Sequence, residues 1–148
     1  MTRGQKWFQQ LANLTVGGTG LVYGWMLYCI TPAEDDPFSI AVVNHPWQPE
    51  VKNLHVIFAP LLVFAIGMIW PDHVWQRISS GLAARRRIGL LLATLAVPMI
   101  ASGYLLQTSV DETWNRIWIW THVASSVLWI LAFVGHQISR RSARGRRS

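Results

Sequence analysis

The chain alternates between long apolar runs and short polar segments. Four stretches contain no Asp, Glu, Lys or Arg, and they run for 27, 19, 23 and 23 residues. They cover residues 7–33, 53–71, 88–110 and 117–139. A helix needs about 17–25 apolar residues to cross a bilayer. The pattern therefore predicts four membrane-spanning helices, over residues 7–31, 53–75, 87–109 and 113–139.

These spans leave room for a single domain. Only 14% of the residues are charged, against about 25% in an ordinary soluble domain. Residues 1–148 are therefore interpreted as one membrane domain, with an outer loop over residues 32–52 and a basic C-terminal tail over residues 140–148. The remaining connections are short, which makes consecutive helices antiparallel. We expect an all-α integral membrane protein, a four-helix bundle with up-down-up-down topology.

The charges predict the orientation of this bundle. Eleven Lys and Arg residues lie on one side with Asp72, which gives that side a net charge of +10, whereas the other side carries −4. Basic residues favour the cytoplasmic side, so both termini are predicted to be cytoplasmic, in a bacterial inner membrane. This topology accounts for the pI near 10.5. Membrane lipid is thus an expected partner, and nucleic acid is not.

Four histidines lie on the second and fourth predicted spans, and none lies on the first or third. Ionisable side chains inside a membrane are costly and are usually functional. Both of these spans run from the outer face to the inner face. His55 and His122 are therefore expected near the outer face, and His73 and His136 near the inner face. The sequence predicts two histidine pairs, one at each membrane surface.

The spacing of these histidines suits a haem cofactor. His122 and His136 are 14 residues apart, about 21 Å along a helix, and His55 and His73 are 18 apart, about 27 Å. Two imidazoles at one depth can ligate the iron of one haem. The longer spacing requires a tilted or proline-kinked second span. We expect all four histidines to be iron ligands of two b-type haems. A single outer haem, with His73 at the interface, is the alternative.

Glycines on the neighbouring spans are further candidates. Gly89 and Gly103 on the third span are 14 residues apart, as are His122 and His136. Glycine makes room for a haem edge, but it also serves ordinary helix packing, and Gly20-x-x-x-Gly24 on the first span matches a packing motif. Both interpretations of Gly89 and Gly103 stay open. The single cysteine excludes a C-x-x-C-H attachment site for c-type haem.

Histidine pairs on the second and fourth helices, with glycines 14 residues apart on a neighbouring helix, resemble the haem-binding core of the cytochrome b superfamily. The resemblance is best over residues 54–138, especially in Trp120-Thr121-His122 and Gly135-His136. The size is similar to that of small bacterial four-helix membrane cytochromes b, including those associated with flavinylated electron-transfer proteins. The resemblance implies an electron-transfer protein or oxidoreductase subunit more than a stand-alone enzyme.

Three functions compete. The preferred one is a di-haem conduit that passes electrons across the membrane, between a quinol or reductase partner and an acceptor at the outer face. It needs a redox partner protein and no catalytic side chain; a quinone is a further candidate ligand. The second is a haem-dependent oxidoreductase acting on quinol or superoxide. The third is a haem-free small transporter or assembly subunit, but no span carries the internal Asp or Glu that proton-coupled carriers usually need.

Overall fold

The computed structural model describes residues 2–30, 45–79 and 86–145, and within these ranges the regular structure is entirely helical. The elements in chain order are α1 (Arg3–Tyr28), α2 (Gln48–Ile69), a π-helix (Trp70–Trp75), α3 (Gln76–Ser79), α4 (Arg86–Thr108) and α5 (Glu112–Gly145). No strand occurs in the described ranges, so the all-α fold class is confirmed. Most of the predicted outer loop, residues 32–44, lies outside them.

The chain divides into two compact units, Met1–Ile69 and Trp70–Ser148. In the first unit α1 packs along α2. Phe8 meets Phe64 edge-on, with ring centroids 5.9 Å apart, and Gly20 meets His55. The partner number falls as the α1 number rises, so α1 and α2 are antiparallel. In the second unit α4 packs along α5, and the three residues 109–111 that join them make this pair antiparallel too.

Local hydrogen bonds define where the helices begin. Thr2 and Gln5 form a capping box at α1: the Gln5 N–H donates to Thr2 Oγ1 at 3.2 Å, and the Thr2 N–H donates to Gln5 Oε1 at 2.7 Å. Asp111 caps α5, because its Oδ1 accepts from the Trp114 N–H at 3.0 Å. Pro49 stands in the first turn of α2, where its missing N–H leaves no helical bond unmade. Helix α2 therefore begins inside the predicted outer loop.

Three helices of the described chain are long and apolar enough to cross a membrane. They are α2, Ile88–Thr108 of α4 and Glu112–Ile138 of α5. Large apolar side chains cover the surfaces of these helices: Ile57, Val97 and Leu131 are 66%, 67% and 64% exposed. Apolar surface on this scale is rare in soluble monomers. The helices therefore indicate a membrane protein.

Helix α1 is predicted as the first span but is not among these three. It has 26 residues, so length is not the reason. Polar side chains lower its mean hydropathy: Gln9 is buried, and Asn13 and Thr19 are half-buried. The Asn13 amide donates to the Gln9 carbonyl at 2.8 Å, and Thr19 donates to the Thr15 carbonyl at 2.8 Å. These three polar side chains are thus turned away from the exposed surface, and those of Asn13 and Thr19 are bonded to the backbone of their own helix.

The predicted second span ends differently from a regular α-helix. Helix α2 stops at Ile69, and Trp70–Trp75 winds as a π-helix. A π-helix uses i→i+5 hydrogen bonds, and Pro71 within it lacks the N–H that an α-helical bond would require. The regular 3.6-residue count that would place His73 on the face of His55 therefore does not extend past Ile69.

The last helix is longer than its predicted span. Helix α5 runs for 34 residues, to Gly145, whereas the predicted span ends at residue 139. The backbone of residues 140–145 is thus helical, although the sequence analysis assigns these residues to a basic tail. The hydrogen-bond ladder of a long helix continues readily into a polar segment that has no proline or internal glycine.

Small and polar residues line the contact between α4 and α5. Ala96 and Ser102 of α4 are buried, as are Ser125 and Trp129 of α5. Ala96 lies seven residues before Gly103, and Trp129 lies seven after His122, so each continues the helix face of that residue. Small side chains on α4 and the large Trp129 ring on α5 are thus both buried on the faces that also carry Gly103 and His122.

Enlarging Ala96 should therefore destabilise the second unit. Because overpacking a close contact forces neighbours to shift, Ala96→Leu is expected to lower the free energy of unfolding by about 1–3 kcal/mol. The adjacent Val97 is exposed, so Val97→Leu should stay within about 0.5 kcal/mol. Thermal unfolding of the purified protein in detergent measures both. Equal losses in the two variants would contradict the buried position of Ala96.

Candidate functional site

His55 of α2 is held by the backbone of α1. Its Nδ1 lies 3.1 Å from the Val16 carbonyl oxygen and 3.2 Å from Thr19 Oγ1. A carbonyl can only accept a hydrogen bond, so Nδ1 carries the hydrogen and donates it. The lone pair of a neutral imidazole with this tautomer is on Nε2. The contact with α1 therefore fixes both the orientation and the tautomer of the His55 ring.

Glycine at position 20 is what allows the His55 ring to come this close to α1. A β-carbon at Gly20 would lie 2.8 Å from Cε1 and 3.2 Å from Nδ1 of His55. Contacts this short are not tolerated, so any larger residue would displace the ring. Gly24, one turn further along α1, has no described atom within 4 Å of the same position. Among the described residues, Gly20 of the predicted packing motif makes a close contact and Gly24 does not.

The second unit repeats this arrangement with different residues. Nδ1 of His122 lies 2.9 Å from the Met99 carbonyl oxygen and 3.4 Å from Ser102 Oγ. A β-carbon at Gly103 would lie 3.0 Å from Cε1 of His122. His122 therefore has the same tautomer as His55, and it is held by the neighbouring helix in the same way.

The two sites share one spacing along the helix that receives the histidine. A carbonyl at position i, a hydroxyl at i+3 and a glycine at i+4 are supplied by Val16, Thr19 and Gly20 in α1. Met99, Ser102 and Gly103 supply them in α4. Residues three and four apart lie on one face of an α-helix, so the three groups converge on one imidazole. The same constellation has thus been built twice in this chain.

The structure locates four of the predicted site residues, three through the contacts described above and one through its position on a helix face. His55 and His122 each lie against a neighbouring helix, and Gly103 is the glycine that His122 contacts. His136 is half-buried, and it lies 14 residues after His122 with the buried Trp129 midway between them. His136 therefore continues the face of α5 that is turned towards α4.

The other two predicted residues are not placed in such a contact. A β-carbon at Gly89 meets no atom of the described chain within 4 Å, so Gly89 does not reproduce the close approach seen at Gly103. His73 belongs to the π-helix, but its side chain lies outside the described part of the chain. The fifth histidine, His45, serves the start of α2: its Nδ1 accepts from the Trp47 N–H at 3.2 Å.

Sequence reasoning missed the groups that hold the histidines. The carbonyls of Val16 and Met99 leave no trace in a sequence, because every residue has one. The hydroxyls of Thr19 and Ser102 do leave a signal, a hydroxyl residue followed directly by glycine on the helix that precedes each histidine helix. This dipeptide is common, so it gains meaning only when helix pairing brings it opposite a histidine.

A polydentate metal site is not found in the part of the chain that the structure describes. Within it, no three His, Cys, Asp or Glu side chains come together in a group. The arrangement at His55 and His122 is of another kind. Metal-ligating histidines almost always donate their second ring N–H to a carboxylate, a backbone carbonyl or water. Each of these two rings presents Nε2 as its basic nitrogen, the form in which an imidazole binds a metal or a haem iron.

Comparison with known proteins adds no relative: no family model, curated protein or solved structure matches the chain.

A methyl group at Gly20 should disturb this site, whereas one at Gly24 should not. Gly20→Ala is expected to lower the free energy of unfolding by about 1–3 kcal/mol, because the new β-carbon overlaps the His55 ring. Gly24→Ala is the matched control in the same helix, and it should be neutral or stabilising by up to about 1 kcal/mol. Thermal unfolding followed by circular dichroism distinguishes them. Equal shifts would mean that the ring does not lie against Gly20.

Proposed function

We propose that this chain is a four-span membrane cytochrome b that passes electrons across a bacterial inner membrane. The donor is a quinol or a reductase partner, and the acceptor lies at the outer face. The observation that carries the proposal is the repeated orientation of His55 and His122 through Nδ1. A histidine held in this way by a backbone carbonyl has the tautomer and the fixed ring that an axial ligand needs.

The donor set fits haem b. His55 and His122 are proposed as the ligands of the outer haem, and His73 and His136 as those of the inner haem. The half-buried position of His136, on the same face of α5 as His122, supports the inner pair. Two histidine nitrogens would be sufficient to hold the iron of a b-type haem, which would need no third protein group. When bound, the haem supplies a reversible one-electron couple.

In this proposal the residues of the chain hold the histidine rings in place, orient them and shield them from water. The Val16 and Met99 carbonyls keep the hydrogen of each ring on Nδ1. Gly20 and Gly103 admit the rings to the helix surface. The apolar helices keep water away from the ligand nitrogens, which favours a stable iron–imidazole bond and a defined potential. No side chain is assigned a catalytic role, because electron transfer requires neither an acid nor a nucleophile.

The fourth span of the proposal is α1. An apolar stripe runs along its exposed surface, and it consists of Trp7, Leu11, Leu14, Leu21 and Trp25. These residues recur every three, four or seven positions and so lie on one side of the helix. A helix with this stripe and inward-turned polar groups can cross a bilayer even though its mean hydropathy is modest. Four spans and the segregated basic residues support cytoplasmic termini.

Haem content tests the function directly. The purified protein is expected to contain two b-type haems per chain, measured as the pyridine haemochrome, and His122→Ala should lose the outer haem. His45→Ala is the control, because His45 serves a helix start and is not a proposed ligand. One haem per wild-type chain would restrict the proposal to His55 and His122. A haem-free wild-type protein, expressed with adequate haem, would overturn it in favour of a transporter or assembly subunit.

The topology is tested with the native cysteine. Cys29 is free and exposed and follows the last residue of α1, so a membrane-impermeant maleimide should label it in intact spheroplasts. Ser79 is exposed on the opposite side of the proposed second span. In Cys29→Ser/Ser79→Cys, labelling should require permeabilised membranes. Labelling of the second protein in intact spheroplasts, with none of the first, would reverse the orientation.

A further inference from the structure

We propose that Thr19 and Ser102 are positioning residues that set the donor strength and ring plane of His55 and His122, and with them the reduction potential of the haem that these histidines hold. This inference rests on the proposed function. It goes further, because it assigns a role to two hydroxyl groups that the ligation of iron does not require.

Each hydroxyl donates its hydrogen to a backbone carbonyl of its own helix. Thr19 Oγ1 lies 2.8 Å from the Thr15 carbonyl oxygen and 3.1 Å from that of Val16. Since a hydroxyl has one hydrogen and both neighbours are acceptors, Thr19 donates to its own backbone. Its oxygen lone pairs then face the Nδ1–H of His55 at 3.2 Å. Thr19 is thus an acceptor for the imidazole.

The Ser102 hydroxyl also donates its hydrogen to its own helix. Its Oγ lies 2.5 Å from the Pro98 carbonyl oxygen and 3.2 Å from that of Met99, and it faces Nδ1 of His122 at 3.4 Å. Ser102 is almost fully buried, with 1% of its surface exposed. Its oxygen is therefore directed at the ring and shielded from solvent.

Each Nδ1–H consequently has two acceptors on the neighbouring helix, a carbonyl and a hydroxyl three residues later. A shared hydrogen bond of this kind is well known in proteins. Acceptors at the second ring nitrogen raise the basicity of a ligating imidazole. A more basic imidazole stabilises the ferric more than the ferrous iron, so the hydroxyls are expected to lower the reduction potential.

The two acceptors also restrict rotation of the ring. The carbonyl oxygen and the hydroxyl oxygen are separate acceptor atoms, 3.1 Å apart at Val16 and Thr19 and 3.2 Å apart at Met99 and Ser102, and glycine lies against Cε1. Three contacts define the plane of each imidazole, whereas the carbonyl alone would allow it to swing about the single hydrogen bond. The ring plane of an axial imidazole affects the electronic structure of ferric iron, which electron paramagnetic resonance detects.

A purely structural role makes different predictions. If the hydroxyls only satisfy carbonyls of their own helix, their removal alters stability and leaves the haem unchanged. The chain offers a matched control in Ser125, a second buried serine of the α4–α5 contact. Its hydroxyl lies 2.5 Å from the Thr121 carbonyl oxygen and 3.2 Å from that of His122, and both of these acceptors are backbone oxygens of α5.

The test uses the full-length protein with its haem, purified in detergent. Thr19→Val and Ser102→Ala remove the hydroxyls, Thr19→Ser and Ser102→Thr retain them, and Ser125→Ala removes a hydroxyl elsewhere. Haem content, midpoint potential by redox titration and the ferric low-spin resonance signal are measured for each. We expect the first two variants to keep their haem, to raise the potential of the outer haem and to shift or broaden its resonance signal. The hydroxyl-retaining variants and Ser125→Ala should match the wild type.

The outcomes separate this inference from the one it rests on. Unchanged potential and resonance signal in Thr19→Val and Ser102→Ala, with full haem content, overturn the positioning role and leave the cytochrome proposal intact. A shift of equal size in Ser125→Ala also overturns it, because the effect would then not depend on the imidazole contact. A wild-type protein without haem overturns both. If Thr19→Val fails to fold, Thr19→Ala removes the same hydroxyl without adding a methyl group in its place.

Discussion

The antiparallel pairs α1–α2 and α4–α5 form two helical hairpins. The structure of each hairpin depends on one hydrogen bond, donated by a histidine Nδ1–H to a backbone carbonyl of the opposite helix. An imidazole that entered an apolar helix contact without an acceptor would leave a buried polar group unsatisfied, at a cost of about 1–3 kcal/mol. The acceptor is a backbone carbonyl of a helix, so Nδ1 must come close to it. The distance is 3.1 Å to the Val16 carbonyl oxygen and 2.9 Å to the Met99 carbonyl oxygen. At both sites a glycine lies against the ring, where a β-carbon would stand 2.8 or 3.0 Å from Cε1. The histidine, the glycine and the close spacing of the two helices therefore depend on one another.

The two hairpins meet this requirement with little sequence in common. Residues 16–20 are Val-Gly-Gly-Thr-Gly, and residues 99–103 are Met-Ile-Ala-Ser-Gly. They share the final glycine and a hydroxyl before it. The histidine follows 35 residues after Gly20 but 19 residues after Gly103, because the first hairpin has the longer connection. The recurrence lies in three-dimensional arrangement, and for this reason no repeat is evident along the chain.

The sequence predicts the helices where their ends coincide with changes in polarity. The starts of α4 and α5 differ by one residue from the predictions, and Asp111 caps α5. The prediction of helix ends from polarity is wrong at three places. Pro49 is tolerated in the first turn of α2, Pro71 lies in a π-helix, and α5 continues into basic residues. At the site, His55, His122 and Gly103 are recognisable from residue type. The role of Gly20 and the acceptors of both rings depend on the register between helices, which no single helix pattern contains.

The Nδ1 of His55 is held by Val16 and Thr19 of α1, and that of His122 by Met99 and Ser102 of α4, so these contacts orient each ring from within its own hairpin. The conformational entropy of the imidazole is then lost when the hairpin forms, and not when a ligand arrives. The proposed haem would therefore meet a nitrogen donor that is already preorganised, which favours tighter binding for the same bonds. For the proposed cytochrome this implies an order of biogenesis, in which helix pairing would come first and haem insertion would follow onto donors that are already aligned.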